Sequence, residues 1–289
     1  MTAPALQFNR VVKTFRRARV LDGVDLSIAA GERVALIGSN GAGKTTLIRC
    51  LLGEYVHTGQ IFVHGLSPRQ HRTDVLRRVG FVPQLPPPLR MSVGQLVRFS
   101  AALCDAAPQD VYSVAERLGL DAARFAMRPF VQLSGGMKQK LLIAIALGRR
   151  ADLLILDEPA ANLDPEARKT FFELLGERLG QVTMLISSHR LDEVSALVGR
   201  VVEMDTGRIV LDDVVADAVA LNSVVDCRIR IKRAEAAFAV ALAEWKFGGD
   251  ETGLNWTGEV AGADRLRFLG VIARYTGLID DFSLTERRL

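Results

Sequence analysis

Apolar positions change their period several times along the chain, and the changes divide it into segments. Residues 6–12 and 20–29 alternate as strands do, joined by the basic turn Arg16-Arg17-Ala18-Arg19. Arg33–Ile37 is a short apolar run suited to a buried strand, and Thr46–Leu52 reads as the first turns of a helix. Gly59–Val63 and Val79–Val82 are further strands. The run Pro86-Pro87-Pro88 can be neither helical nor central in a sheet, so it marks an exposed connection. From about Ser92 to Arg150 the spacing becomes helical, with Leu96, Val97, Phe99 and Leu103, then Val111, Val114, Ala115 and Leu118, three or four residues apart. Strand and helix alternate again from Leu153–Leu156 and Val182–Ile186. The order predicts an α/β fold: a parallel-sheet core, N-terminal antiparallel strands and a helical lobe inserted over about residues 92–150.

A break falls near Leu211–Asn222. Beyond it the pattern gives a strand at Val224–Ile231, an amphipathic helix at Ala234–Lys246 and a strand at Leu254–Val260. A second helix at Ala263–Tyr275 and a last strand at Leu278–Phe282 complete the series. The expected division is a large domain over 1–221 and a small α+β appendage over 222–289. The appendage carries no catalytic motif, and Trp245 and Trp256 read as its core anchors.

Composition narrows the class. With 49% hydrophobic and 24% charged residues the chain is globular rather than disordered. No apolar run approaches the ~18 residues needed to span a bilayer. The first residues show no basic region followed by an apolar stretch, so no secretory signal is expected. Cys50, Cys104 and Cys227 are scattered without metal-ligand spacing, as free thiols in a reducing cytosol would be. The net charge of +4, with acids and bases well mixed, is a mild bias and most simply a solvated surface. It could help docking at an anionic membrane face but is weak evidence for nucleic acid, and no nucleic-acid partner is expected.

Candidate chemistry begins at Gly38-Ser39-Asn40-Gly41-Ala42-Gly43-Lys44-Thr45, followed by Thr46. A strand before it and a helix after it make this a phosphate-binding loop. Glycines let the backbone wrap close to a triphosphate, with N–H groups turned inward at a helix N-terminus. Lys44 would reach the β- and γ-phosphates and the Thr45 hydroxyl would ligate Mg²⁺. Leu153–Leu156 then ends in two carboxylates. Asp157, at the strand's C-terminal end, can hold Mg²⁺, and Glu158 can polarise a water for attack on the γ-phosphate. Leu133-Ser134-Gly135-Gly136-Met137, opening the helical run Lys138–Arg149, reads as a second anion-binding helix start. One nucleotide does not need two such sites from one chain.

With that segment the sequence resembles the ATP-binding cassette (ABC) family, whose signature is LSGGQ. The resemblance covers roughly the first 215 residues and rests on several motifs in the family's order. It implies that Phe15 stacks under the adenine ring and that Gln84 touches Mg²⁺ and the attacking water. Asp164 in Ala161-Asn162-Leu163-Asp164 would be the key acid of a loop crossing a dimer interface, and His189 a switch contacting the γ-phosphate. Two cassettes would close face to face, each ATP held between one chain's phosphate loop and the other's Ser134, Gly135 and Gly136. Two departures stand out: Phe15 replaces the commoner tyrosine, and Met137 replaces the last signature glutamine.

The implied function is the ATPase subunit of a membrane transporter. Its spanning subunits would be separate chains, and its cassette partner a second copy or a homologue. Its place would be cytoplasmic, peripheral on the inner face of the cell membrane. Residues 187–194 and the Phe282-Ser283-Leu284 ending look like the exporter or multidrug-type branch. Size and layout are similar to a member of that branch that works in copper processing for nitrous oxide reductase. The other class is a non-transport ABC ATPase of translation or DNA repair. Such members carry two cassettes in one chain or long coiled coils between loop and signature, and Thr46–Leu133 has no sustained heptads.

Overall fold

The computed structural model describes residues 4–149, 151–189, 194–214, 224–261 and 265–286. It divides into two compact units, residues 1–189 with 197–215, and residues 190–196 with 216–289. The division at 215/216 and the expected one at 221/222 both fall in a stretch outside the described residues, as do residues 190–193 of the segment likened to the exporter branch.

In the large unit β1 (Leu6–Phe15), β2 (Ala18–Ile28) and β4 (Thr58–Val63) form an antiparallel sheet in the order β2-β1-β4. The hairpin turn is tighter than the sequence pattern suggests, only Arg16-Arg17, with Arg16 at φ 52°. Just before it Lys13 pairs with Leu21 while Thr14 pairs with Arg19, so Val20 is left over as a bulge.

The second sheet contains β3 (Arg33–Ile37), β5 (Val79–Val82), β6 (Leu153–Asp157), β7 (Thr183–Ser188), β8 (Arg200–Asp205) and β9 (Arg208–Val214). Its order is β5-β6-β7-β3-β8-β9, parallel throughout except for the last pair. Central parallel strands are covered on both faces, which explains the unbroken apolar runs at Val34–Ile37 and Leu153–Leu156. Between the sheets, Phe8 and Leu26 share a core with Leu36, Leu185 and Val202, joined by Leu47, Ile48 and Leu51 of α1 (Lys44–Leu51).

The expected helical lobe lies between β5 and β6, which pair directly as neighbours (Val79 with Leu153). It holds α3 (Val93–Ala102), α4 (Pro108–Arg117) and α5 (Gly135–Leu147), while the short α2 (Arg72–Arg78) precedes β5. A reciprocal Ser92–Gln95 capping box starts α3 and Pro108 sits in the first turn of α4. A helix α6 (Pro165–Gly176) connects β6 to β7.

The β8–β9 hairpin has no counterpart in the sequence reading. Arg200 pins it: its guanidinium forks onto Asp212 (2.6 and 2.7 Å) and reaches Glu32 Oε1 and the Ser27 carbonyl, each at 2.9 Å.

The small unit runs β10 (Val224–Ile231), α7 (Ala236–Ala243), β11 (Gly248–Gly249), β12 (Asn255–Ala261), α8 (Arg265–Ala273) and β13 (Ile279–Glu286). The antiparallel order β11-β12-β10-β13 is the split βαβ arrangement of ferredoxin-like folds. The two-residue strand β11 was not foreseen, since two glycines carry no pattern. The core is aromatic: Phe247 stacks on Phe268 at 5.0 Å, Trp245 meets Phe268 edge-on at 5.1 Å, and Trp256 meets Phe238 at 6.2 Å. Gly258 is obligatory beneath this cluster, because a Cβ there would run into the Phe247 ring.

Candidate active site

The phosphate loop leaves β3 at Gly38 and enters α1 at Lys44. Gly38 has φ 146°, and a Cβ there would collide with the Met204 carbonyl of β8. Gly43 has φ 107° and is hemmed in by the Leu21 side chain and the Val20 carbonyl, both 3.0 Å from where its Cβ would stand. Only glycine meets both demands. From the β8–β9 turn the Gly207 N–H donates to the Ala42 carbonyl at 3.0 Å, so the unforeseen hairpin braces the loop.

Lys44 is only 6% exposed and donates to the carbonyls of Gly38 (2.6 Å) and Ser39 (3.2 Å). Burial pushes its ammonium below the ordinary lysine value, while the Glu158 and Asp157 carboxylates oppose that shift. The Thr45 hydroxyl lies 3.3 Å from Asp157 Oδ1. Ser187, at the end of β7, donates its hydroxyl to the same Oδ1 at 2.6 Å and accepts the Glu158 N–H at 3.1 Å. Glu158 itself is in the left-handed region at φ 47°, an uncommon conformation for a side-chain-bearing residue. Its Oε2 is 2.7 Å from His189 Nδ1; the imidazole is half exposed and the carboxylate nearly buried.

A cleft of about 370 Å³ opens over the loop, lined by Val20, Ser39, Asn40, Gly41, Ala42, Gly43, Lys44, Thr45, Thr46, Gln84 and Glu158. The structure thus gathers the loop, Gln84 and Glu158 around one space, with Asp157 behind Thr45 and His189 behind Glu158. Phe15 is not among the lining residues: its ring meets Tyr55 edge-on at 5.2 Å and carries the Lys13 ammonium at 4.4 Å. The bulge turns Val20 into the cleft instead, and no sequence signal marked that residue. Ser187 was legible only as the end of the strand before His189. The Thr45 hydroxyl, the Asp157 carboxylate and the Gln84 amide supply hard oxygen donors, a set that fits Mg²⁺.

Ser134, Gly135, Gly136 and Asp164 stand apart from the cleft lining. Ser134 caps α5 by accepting the Met137 N–H at 3.2 Å, and the space around Gly135 is open. Asp164 caps α6 through the Ala167 N–H at 2.9 Å and pairs with Lys140 Nζ at 2.8 Å. The Lys140 bond first, and the Ala167 N–H second, hold the Asp164 carboxyl below its ordinary range.

Comparison with known proteins agrees with this geometry. The ABC transporter family model matches residues 21–161. The Nod factor export ATP-binding protein I of Paraburkholderia xenovorans is 37% identical, over 72% of this chain and 70% of its own length. This chain belongs to the ABC transporter family. The methionine import ATP-binding protein MetN of Caulobacter vibrioides is 35% identical to this ABC protein, over 98% of this chain and 87% of its own length. Among solved structures, an ATP-binding subunit of an ABC transporter superposes with a TM-score of 0.66 at 26% identity, covering 73% of this chain and 90% of that one. A bacterial Atm1-family ABC exporter with ATP bound gives 0.66 at 25% identity, covering 75% and 40%. The chain is therefore an ATPase cassette of an ABC transporter.

Proposed function

We propose that this ABC ATPase drives its transporter as one of a pair of cassettes closing on two ATP molecules, with separate membrane-spanning permease subunits above it. The pair is two copies of this chain or this chain with a homologous cassette. The observation that carries this reading is the placement of Ser134–Gly136. They form a capped, open helix start outside the cleft of their own chain, so the phosphate they suit is a partner's. In the closed pair Lys44 and the loop N–H groups hold the triphosphate, the adenine reaches past the cleft lining to Phe15, and Glu158 takes a proton from the attacking water. His189 steadies Glu158 and the γ-phosphate. Mg²⁺, held by Thr45, Asp157 and Gln84, would neutralise phosphate charge. Closure sheds bulk water, and loss of the γ-phosphate contacts reopens the pair.

Export is the direction we propose, supported by the Nod factor export relative. Import is the second reading, supported by the methionine import relative, whose match continues through the small unit. The residues of the site serve nucleotide alone, so cargo, copper included, lies outside this reading. No described helix is long and apolar enough to cross a membrane, and the proposed location is peripheral, on the cytoplasmic face.

Purifying tagged Glu158→Gln protein from its native membranes with ATP tests the assignment. A stoichiometric multi-spanning protein is expected; ribosomes or DNA in its place would overturn transport while leaving the ATPase. Ser134→Ala should lower turnover by ~10-fold or more, as expected when a preorganised charge-stabilising donor is removed. ATP binding to the monomer should stay nearly unchanged, and its collapse would refute the sandwich.

A further inference from the structure

Between the signature end of α5 and the catalytic carboxylate lies a polar side chain that the site described so far does not use. Gln139, on α5 one turn beyond Gly135, is fully buried. Its Nε2 donates to the Pro159 carbonyl at 3.0 Å and lies 3.4 Å from the Pro83 carbonyl. Pro159 directly follows Glu158, and Pro83 directly precedes Gln84. One amide therefore joins the backbone beside the Glu158 carboxylate to the backbone beside Gln84, the glutamine assigned to Mg²⁺ and the attacking water. The orientation of the amide follows from its partners, since the reversed one would set an oxygen against two carbonyl oxygens.

Burying an amide is costly unless its bonds are made, and here only the Nε2 end makes them, since Gln139 Oε1 is buried with no hydrogen-bond partner among the described residues. An apolar side chain would fill such a buried position more simply, as Leu141, Leu142 and Ile143 do along the same helix. The two carbonyls also flank residues whose placement is delicate. Glu158 stands at a positive φ, and Gln84 lies in the irregular stretch that runs from Pro83 through Pro86–Pro88. We infer that Gln139 is a positioning residue that aligns Glu158 and Gln84 together and ties both to the helix bearing Ser134. The inference rests on the roles given to those three residues in the proposed function. When the start of α5 engages a phosphate, the same helix adjusts both catalytic side chains in its own cleft through this amide.

The test is Gln139→Met in the full chain, which keeps the side chain's length and removes the donor. Expected is a fall in kcat of about 10- to 100-fold, the scale of an ångström-sized misplacement, with KM and ATP affinity within about twofold. A residue that only braces the fold would lower the thermal midpoint or ATP affinity and leave kcat per folded molecule intact; that result overturns the inference. Combining Gln139→Met with Glu158→Gln should give no less activity than Glu158→Gln alone, because both act on one step. Glu158→Gln inactive with Gln139→Met fully active overturns this inference alone; Glu158→Gln fully active overturns the reading beneath it as well. Should the Met variant not fold, Gln139→Asn, an amide one methylene too short to bridge, carries the same criteria.

Discussion

The cassette and the small C-terminal unit spend their buried volume differently. In the cassette the buried polar residues include Lys44, Gln139, Asp157, Glu158, Ser187 and Ser188, most within a bond or two of the cleft, besides His57, Ser100 and Thr183 outside its lining. Between residues 224 and 286 every described buried side chain is apolar, from Val225 and Cys227 through Phe238 and Phe268 to Ile272. Buried polar groups lower stability unless they are fully paired, so a fold keeps them where chemistry demands them. The contrast puts the proposed catalytic groups in the first unit and leaves the second with an aromatic, apolar core.

The sharpest way to break this contrast is Glu158→Gln. Loss of a general base typically costs 10²–10⁴-fold, and steady-state ATP hydrolysis should fall by about that much while ATP still binds and a closed dimer accumulates. Unchanged hydrolysis would remove the catalytic meaning of the buried carboxylate. Next in size is Phe268→Ala, which empties the stack on Phe247 and Trp245 and should cost about 3–5 kcal/mol, read as a lower denaturant midpoint for the small unit. Hydrolysis by the cassette should stay within about twofold. A large loss of turnover would show that the small unit takes part in the cycle.

The smallest effect concerns the turn between β11 and β12. Asp250 accepts bonds from the Thr252 hydroxyl, the Asn255 amide and the backbone N–H groups of Leu254 and Asn255. The Asn255 side chain above all lowers its pKa from 3.8 to about 2. A carboxyl depressed in the folded state adds stability above its unfolded pKa and loses it as pH falls through the folded one. The gap in melting temperature between wild type and Asp250→Ala should therefore be constant above about pH 5 and shrink progressively between about pH 5 and pH 1 as pH falls through the folded pKa of about 2. A gap that does not shrink over that range would mean the turn is held by something other than the charge.

Much of this was legible in the chain because local pattern and local chemistry coincide there. Val79–Val82 and Val224–Ile231 have the bounds expected of them, since each is a compact run that begins and ends on a β-branched residue. The phosphate loop, the Asp157–Glu158 pair and the Ser134 cap were readable because their backbone demands are written in glycines and a capping hydroxyl. What escaped depends on distant residues. The β8–β9 hairpin went unread although Thr206-Gly207, both at positive φ, make its turn, and Met204 and Gly207 close the loop from behind. Val20 enters the cleft through a register shift between two strands, which no single strand's pattern reveals. Gln139 shows its role only when Pro83 and Pro159 meet around it.

The sheet order has a consequence for synthesis on the ribosome. The strand that launches the phosphate loop is completed at Ile37, but its neighbours are made much later: Val34 pairs with Leu185 about 150 residues on, and the carbonyl that abuts Gly38 belongs to Met204. At ~5–20 residues per second the loop waits roughly 8–30 s for the chain that shapes it. A nascent cassette cannot use ATP as a folding template during that interval. Nucleotide binding is thus a report that the sheet has closed, and the exposed apolar β3 is the segment for which a chaperone would compete until then.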